Sequence, residues 1–231
     1  MTNTDTTDTT SADTGAAAHP IPGPDDPRTA FAHATITARR VVDGVRPEQL
    51  DLPTVCDDLD VRSLLGHMVT VFRRLAALGN GVDPLAMPDI VTGIADDAWP
   101  ATFVEAAHLV RAAWTDGAKL QQTMVLPWAT APGAGMVAMY TSELTVHTWD
   151  LARATGQDVE WHEPTVELAL QTALTTLPPG DREATFAEMA QQVPGMEHLV
   201  THPPFRNAVA AADDAPVIDR LIAWYGRNPA A

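Results

Sequence analysis

The sequence has few of the residues that build disulfide-stabilised or membrane-spanning proteins. Its one cysteine, Cys56, excludes an internal disulfide framework and is typical of a reducing compartment. No apolar run approaches the roughly 18 residues that a membrane helix needs. The N-terminus also lacks the basic and apolar regions of a signal peptide. We therefore expect a cytoplasmic protein that does not associate with a membrane.

Positive charge is also scarce. The chain has 14 Lys and Arg against 30 Asp and Glu, a formal net charge of -16, and no basic cluster. This balance argues against nucleic acid or anionic lipid as a partner. Three signatures of common enzymes are absent as well: a Gly-rich phosphate loop, a G-x-S-x-G elbow and a C-x-x-C pair. The 231 residues are enough for one large or two small domains.

The spacing of apolar residues predicts four long helices in the first two thirds of the chain. They cover about residues 27–44, 61–78, 102–116 and 135–155. Asp25 or Asp26 can cap the first helix, Asp60 can cap the second, and Gly156 ends the fourth. The segments between them contain several prolines and glycines and are predicted to be irregular, including residues 80–100 and 124–133.

The composition divides the chain into three parts. Residues 1–24 are rich in Thr, Asp, Ala, Gly and Pro, and they have too little apolar surface to offset the entropy of ordering. We predict a disordered tail there, a four-helix body over residues 25–157, and a mostly helical C-terminal extension over residues 158–231. No internal repeat is visible.

The fourth predicted helix carries a pair of metal-ligand types. Glu143 and His147 are four residues apart, so a helix places them on one face, one turn apart. A carboxylate and an imidazole at this spacing can hold a divalent metal from one side. Glu143 also falls within an apolar stripe that includes Tyr140, which we expect to line the ligands or the substrate pocket. A buried carboxylate such as Glu143 needs a cation or a hydrogen-bond partner. A metal meets that need, and so does an arginine.

A third ligand has to come from elsewhere in the chain. The best candidate is His67, beside the apolar face of the second predicted helix. A lone histidine at such a position is more often a satisfied core residue than a metal ligand. Taken alone, the position of His67 therefore leaves both interpretations open.

Four further side chains have more than one interpretation each. Asp150 could orient a metal ligand or lie exposed at the end of its helix. Arg153 could pair with Asp150, contact an anionic substrate or form a surface salt bridge. Trp128, between two prolines, could wall a pocket or cover the end of the helices. Cys56 could be a nucleophile near a helix start, but we favour a structural role, and we predict no catalytic nucleophile within the site.

Two segments together resemble a known family. The first runs from Leu52 to His67, and its matching residues are Thr54, Cys56, Asp60, Val61, Leu64 and His67. The second is Glu143-x-x-x-His147-x-Trp149-Asp150-Leu-Ala-Arg153-Ala-Thr155-Gly156. Both are similar to the DinB-like family, and within it to the actinobacterial mycothiol-dependent maleylpyruvate isomerases. The closing run, from Asp213 to Pro229, resembles a smaller subset described only as metal-binding.

The resemblance implies an all-α, DinB-like four-helix bundle whose metal is held by His67, Glu143 and His147. It implies zinc foremost, with iron or nickel as alternatives, and mycothiol as the thiol cosubstrate. Two features depart from the family. Leu59 stands where a tryptophan is usual, and no strand-rich segment follows residue 157, where the full isomerase carries a sterol-carrier-like domain. Contacts from that domain therefore do not transfer.

Two classes of function follow from these observations. The first is a metal-dependent enzyme that activates a low-molecular-weight thiol for isomerisation or S-transfer on a small electrophilic substrate. The second is a non-catalytic stress or resistance protein that binds metal and sequesters a small molecule. Either protein would act on small molecules, as a monomer or homodimer.

Overall fold

The computed structural model describes residues 22–56, 59–126, 129–192 and 205–230. Within these ranges it contains seven α-helices and one β-hairpin. The helices are α1 (Pro27–Asp43), α2 (Val61–Gly79), α3 (Trp99–Ala113), α4 (Gly133–Thr155), α5 (Glu163–Thr176), α6 (Arg182–Gln192) and α7 (Val217–Trp224). The hairpin consists of β1 (Thr123–Leu126) and β2 (Ala129–Pro132). The all-α prediction is confirmed, with this hairpin as an addition.

The first four helices pack against one another as a bundle. α1 lies against α3 and α4, and α2 lies against the same two helices. Three phenylalanines join α1, α2 and α3 in the core: the ring of Phe72 is 5.6 Å from that of Phe31 and 4.8 Å from that of Phe103, both edge to face. The four long apolar stripes of the sequence thus form one common core.

The helix ends follow the capping chemistry of the sequence. Asp26 accepts a hydrogen bond from the backbone of Arg28 at the start of α1. Asp60 does the same for the backbone of Ser63 at the start of α2. Gly156, with a φ of 67°, ends α4 in the left-handed conformation that glycine adopts most easily. These three predicted boundaries are confirmed.

Helix α4 is buried along most of its length although it contains several threonines. Their hydroxyls donate to backbone carbonyls one turn earlier, as Thr141 does to Val137, Thr145 to Thr141 and Thr148 to Leu144. Each hydroxyl is thereby satisfied without water. The helix can therefore lie in the centre of the fold, where it contacts α1, α2 and α5.

Two parts of the sequence prediction are wrong. α3 begins at Trp99 rather than near residue 102, because Pro100 fits into the first turn of a helix instead of ending a loop. The segment 124–133 is not an irregular loop throughout. Its residues pair as an antiparallel hairpin, with Thr123 opposite Pro132 and Leu126 opposite Ala129. The proline lies at the end of its strand, where its missing N–H is tolerated.

The C-terminal part forms a second apolar cluster on the outer side of α4. α5 packs between α4 and α7, and the cluster includes Val146 and Trp149 from α4 together with Leu221 and Ile222 from α7. The described residues after 157 contain helices and no strand, as expected from the sequence.

The division of the chain at residues 24 and 157 stays a prediction. Most of the predicted tail lies outside the described residues. At its end, the carbonyl of Gly23 accepts from the Thr29 hydroxyl at 2.8 Å and from the backbone of Asp26 at 3.1 Å. Among the helices described, none combines the length and the apolar character needed to cross a membrane.

Candidate metal centre

Helix α4 presents three ionisable side chains towards one region of the bundle. Glu143, His147 and Asp150 occur at intervals of four and three residues, so they lie along one face. His147 and Asp150 are buried, whereas the Glu143 side chain is 32% exposed. The carboxylate of Glu143 therefore lies at the accessible edge of this face.

Helix α2 brings His67 to the same place. Its Nε2 lies 3.5 Å from Oε1 of Glu143, and its ring centre lies 4.8 Å from that of His147 at an angle of 82°. One ligand atom from each of the three side chains falls within 4.8 Å of the other two. The structure thus brings together the three residues that the sequence predicts as metal ligands.

His67 is oriented by a loop that packs directly on α2. Its Nδ1 lies 3.1 Å from the backbone carbonyl of Asp89, and the geometry suits donation from Nδ1 to that oxygen. The loop approaches so closely because residue 66 is glycine: a Cβ there would lie 2.3 Å from the carbonyl oxygen of Val91. Arg74, two turns further along α2, also holds the loop through Asp89 at 2.5 Å.

His147 is oriented by a carboxylate. Its Nδ1 lies 3.0 Å from Oδ2 of Asp150, so both histidines have Nδ1 occupied by an oxygen and Nε2 left as the ligand nitrogen. Asp150 in turn is held by Arg227, whose Nε and Nη2 donate to its two oxygens at 2.6 and 2.7 Å. Arg227 lies beyond α7, near the end of the chain.

His67 and Glu143 each stabilise the charged form of the other. Burial disfavours the charged form of Glu143, but the hydrogen bond and charge of His67 outweigh it and hold the pKa of the Glu143 carboxyl below its ordinary value. Burial also lowers the pKa of the His67 imidazole, but Glu143 reverses this effect, so that the pKa ends above its ordinary value. In the absence of a metal, the two side chains therefore favour a charged pair.

The pKa of His147 is shifted in the opposite direction from that of His67. Burial, helped by the charges of His67 and Arg227, lowers the pKa of the His147 imidazole despite its bond to Asp150. Burial opposes ionisation of Asp150, but Arg227 and His147 together hold the pKa of the Asp150 carboxyl below its ordinary value. His147 is consequently a neutral imidazole next to an ionised carboxylate, the state in which a histidine binds a metal.

The remaining predicted side chains have different outcomes. Tyr140 is buried one turn before Glu143, and burial together with the Glu143 charge raises its pKa, so it stays a neutral hydroxyl. Of the three alternatives for Arg153, pairing with Asp150 has no support among the described residues, where His147 and Arg227 hold Asp150. Arg153 points outwards on α4, where its guanidinium lies 5.7 Å from the centre of the Trp149 ring. Trp128 lies outside the described residues.

Two residues near the site, Arg74 and Arg227, received no role in it from the sequence, and a third, Cys56, was expected to be structural. Arg74 acts electrostatically on both Glu143 and His67, and its spacing of seven residues from His67 is the signal that could have found it. No local sequence pattern marks Arg227 as part of the site. Cys56 is partly exposed, and its sulfur lies within 4.8 Å of ligand atoms of His147 and Asp150.

The donor set fits a divalent metal. Two imidazoles with Nε2 free and one carboxylate suit zinc, and the same set suits iron(II) when positions lie open on one side. Zinc bonds of about 2.1 Å at tetrahedral angles place ligand atoms roughly 3.4 Å apart. The separation of His67 from Glu143 already matches this distance. Because the Glu143 side chain is partly exposed, the site is in contact with solvent on that side.

Comparisons with known proteins agree with this picture. Residues 31–152 match the family described as "Mycothiol maleylpyruvate isomerase N-terminal domain". Two proteins of Mycobacterium tuberculosis, named "Uncharacterized protein MT0763" (strain CDC 1551 / Oshkosh) and "Uncharacterized protein Rv0738" (strain ATCC 25618 / H37Rv), are each 26% identical over 204 residues. Each alignment covers 88% of this chain and 98% of the relative. No solved structure gives a significant match. The match over more than half of its length places the chain in the mycothiol maleylpyruvate isomerase N-terminal domain family.

Proposed function

We propose that this protein is a divalent-metal-dependent enzyme that activates mycothiol either to isomerise a small electrophilic substrate or to attach the thiol to it (S-transfer). The observation that carries the proposal is the convergence of His67, Glu143 and His147, with Nδ1 of both histidines already bonded. The family name supplies the thiol. Zinc is the metal that we propose first, with iron or nickel as alternatives.

In this proposal the three side chains hold the metal from one side of the bundle. Three protein ligands leave positions open, which is the arrangement of a catalytic rather than a structural site. When bound, the ion lowers the pKa of a coordinated thiol, so that a thiolate nucleophile forms near neutral pH. The ligand set itself contains no nucleophile, and in this proposal the nucleophile is a thiol that binds from solution.

The residues around the ligands have separate tasks. Asp89 and Asp150 fix the two imidazoles through their Nδ1 atoms. The Tyr140 hydroxyl is kept neutral by burial and by the charge of Glu143, so it retains a proton that it can donate. Arg74 provides a positive charge next to the site, which favours an anionic substrate group over a cationic one.

The chemistry requires no redox change. The sulfur lone pair forms a bond to one carbon of an activated double bond, and the π electrons move to the neighbouring electron-withdrawing group. The former double bond is now single and can rotate. When the electrons return and the carbon–sulfur bond breaks, the thiol is regenerated and the product is the isomer. In an S-transferase, a proton is taken up instead and the sulfur stays attached.

Cobalt-substituted protein provides the test. We expect mycothiol to produce an intense sulfur-to-cobalt charge-transfer band in the near ultraviolet, and His147→Ala to abolish it. We also expect turnover of an electrophilic substrate to depend on the thiol. A spectrum that stays unchanged at saturating mycothiol would contradict thiol activation. A thiol band without any turnover would favour the binding protein over the enzyme.

A further inference from the structure

The carboxylate that orients His147 is fixed from the far end of the chain. Asp150 is completely buried, and Arg227 is 13% exposed. Arg227 donates two hydrogen bonds to the Asp150 carboxylate, from Nε to Oδ1 at 2.6 Å and from Nη2 to Oδ2 at 2.7 Å. Oδ2 is also the oxygen that bonds Nδ1 of His147. A bidentate grip of this kind fixes the plane of the carboxylate as well as its position.

The segment that delivers Arg227 has its own anchors. The Tyr225 hydroxyl lies 2.9 Å from Oγ of Ser142, and Nε1 of Trp224 donates to the carbonyl of Ala173 at 3.0 Å. Gly226, with a φ of 81°, then turns the chain at the end of α7. Because these anchors do not involve Asp150, we expect the segment to stay attached to the bundle when the Arg227 guanidinium is removed.

We propose that Arg227 is a positioning residue for the metal centre. It holds Asp150 so that the carboxylate selects one tautomer and one ring orientation of His147. This inference rests on the proposed function, in that it concerns a ligand of the proposed metal. Arg227 lies outside residues 31–152, which match the family. In this proposal all three ligands lie within the matched residues, and one residue that positions them comes from the C-terminal segment.

The first experiment measures zinc affinity of the full chain by competition with a chromogenic chelator. The variants are Arg227→Gln, which removes the charge and the bidentate grip, and Arg227→Lys, which keeps only the charge. The matched control is Tyr225→Phe, which loosens the same segment without touching Asp150. We expect Arg227→Gln to weaken zinc binding by about 10- to 100-fold, as loss of partners behind metal ligands does.

The control separates positioning from mere attachment of the segment. Tyr225→Phe should bind zinc as the wild type does. A normal zinc affinity of Arg227→Gln overturns the inference, and so does an equal loss in Tyr225→Phe. If Arg227→Gln does not fold, Arg227→Lys decides: an affinity at least about tenfold below that of Tyr225→Phe supports positioning, and an equal affinity overturns it.

A second readout needs no metal. In ¹⁵N-labelled metal-free protein, long-range ¹H–¹⁵N spectra report which nitrogen of His147 carries the proton. We expect one tautomer, protonated at Nδ1, in the wild type and in Tyr225→Phe, and a mixture of tautomers in Arg227→Gln. An unchanged tautomer in Arg227→Gln overturns the inference. If the wild type binds no zinc, the proposed function fails, and this spectrum still decides the role of Arg227.

Discussion

His67 and His147 both have Nδ1 occupied by an oxygen, but the two oxygens belong to different kinds of structure. The oxygen beside His67 is a backbone carbonyl 22 residues away, in a loop that packs on the same helix. The oxygen beside His147 is a buried carboxylate, and its partner Arg227 lies 77 residues further along the chain. The first arrangement depends on close packing and the second on balanced charge. Different substitutions should therefore disrupt the two sides.

The largest effect on stability is expected from breaking the buried ion pair between Asp150 and Arg227. Asp150→Ala leaves Arg227 nearly buried without its counter-ion, and loss of one partner of a buried pair costs about 3–5 kcal/mol. Urea denaturation of the metal-free protein measures this cost. Asp43→Ala is the matched control, because it breaks the exposed pair with Arg39 and should change stability by less than about 0.5 kcal/mol. Equal effects of both variants would show that burial of the pair is irrelevant.

Removal of either histidine should test whether the two sides contribute equally to metal binding. We expect His67→Ala and His147→Ala each to weaken zinc affinity by more than about 100-fold, beyond the range for partners behind the ligands. His108→Ala, on the exposed face of α3, should leave the affinity unchanged. Chelator competition measures all three. Retention of wild-type affinity in either ligand variant would remove that residue from the proposed site.

The contact between α2 and the loop that bonds His67 should be sensitive to a single methyl group added at Gly66. In Gly66→Ala the new Cβ would meet the backbone of Val91, which cannot move aside as a flexible side chain can. We expect a loss of about 1–3 kcal/mol in stability, as overpacking causes. Zinc affinity should fall by about tenfold, because the loop carries the carbonyl that bonds His67.

Gly117→Ala provides the control for this substitution. A Cβ at that position would lie no closer than 3.6 Å to its neighbour, Arg28, which is an ordinary contact. Thermal melting and chelator competition compare the two variants. A Gly66→Ala protein that melts and binds zinc like Gly117→Ala would show that the loop does not position His67.

The same contrast explains what the sequence could predict. The helices, the caps at Asp26 and Asp60, and the pairing of Glu143 with His147 follow from short-range spacing, and each is visible in a few consecutive residues. The position of His67 beside Glu143 was expected through family resemblance, since separation in sequence gives no register between two helices. Its loop was predicted only as irregular, although Gly66 marks a point of close backbone approach.

The arrangement of His147, Asp150 and Arg227 was harder to predict because Arg227 is far from the other two in the sequence. Asp150 could be recognised as a possible orienting group, but its nearest arginine in sequence, Arg153, points outwards on α4. Arg227 reaches Asp150 only because α7 packs on α5, which in turn packs on α4. No local pattern encodes that path. The proline and glycine content of the sequence 124–133 misled for the opposite reason, since a local rule was overridden by strand pairing.

The smallest expected effect is the number of protons released when zinc binds. Glu143 raises the pKa of His67, so His67 holds its proton to a higher pH than a free imidazole, whereas buried His147 is already neutral. Zinc must displace the proton from His67. We expect release of about one proton on zinc binding near pH 6, and less as the pH rises through the raised pKa. Calorimetry in buffers of different ionisation enthalpy measures this number.

The sign of the pH dependence follows from the same shift. Apparent zinc affinity should fall as the pH falls through the pKa of His67. In the metal-free protein, the stability contributed by protonated His67 is present below about pH 6.5, the unfolded value, and is lost as the pH rises through the folded pKa. Zinc binding without proton release near pH 6 would contradict a charged His67–Glu143 pair.

Zinc K-edge X-ray absorption tests the central claim most directly, because it counts the atoms around the metal. For the zinc-loaded protein we expect only nitrogen and oxygen ligands at about 2.0–2.2 Å, with the scattering pattern of two imidazoles. Addition of mycothiol should introduce one sulfur at about 2.3 Å while both imidazoles remain. Fewer than two imidazoles, or no sulfur at saturating thiol, would contradict a three-ligand centre built to activate a thiol.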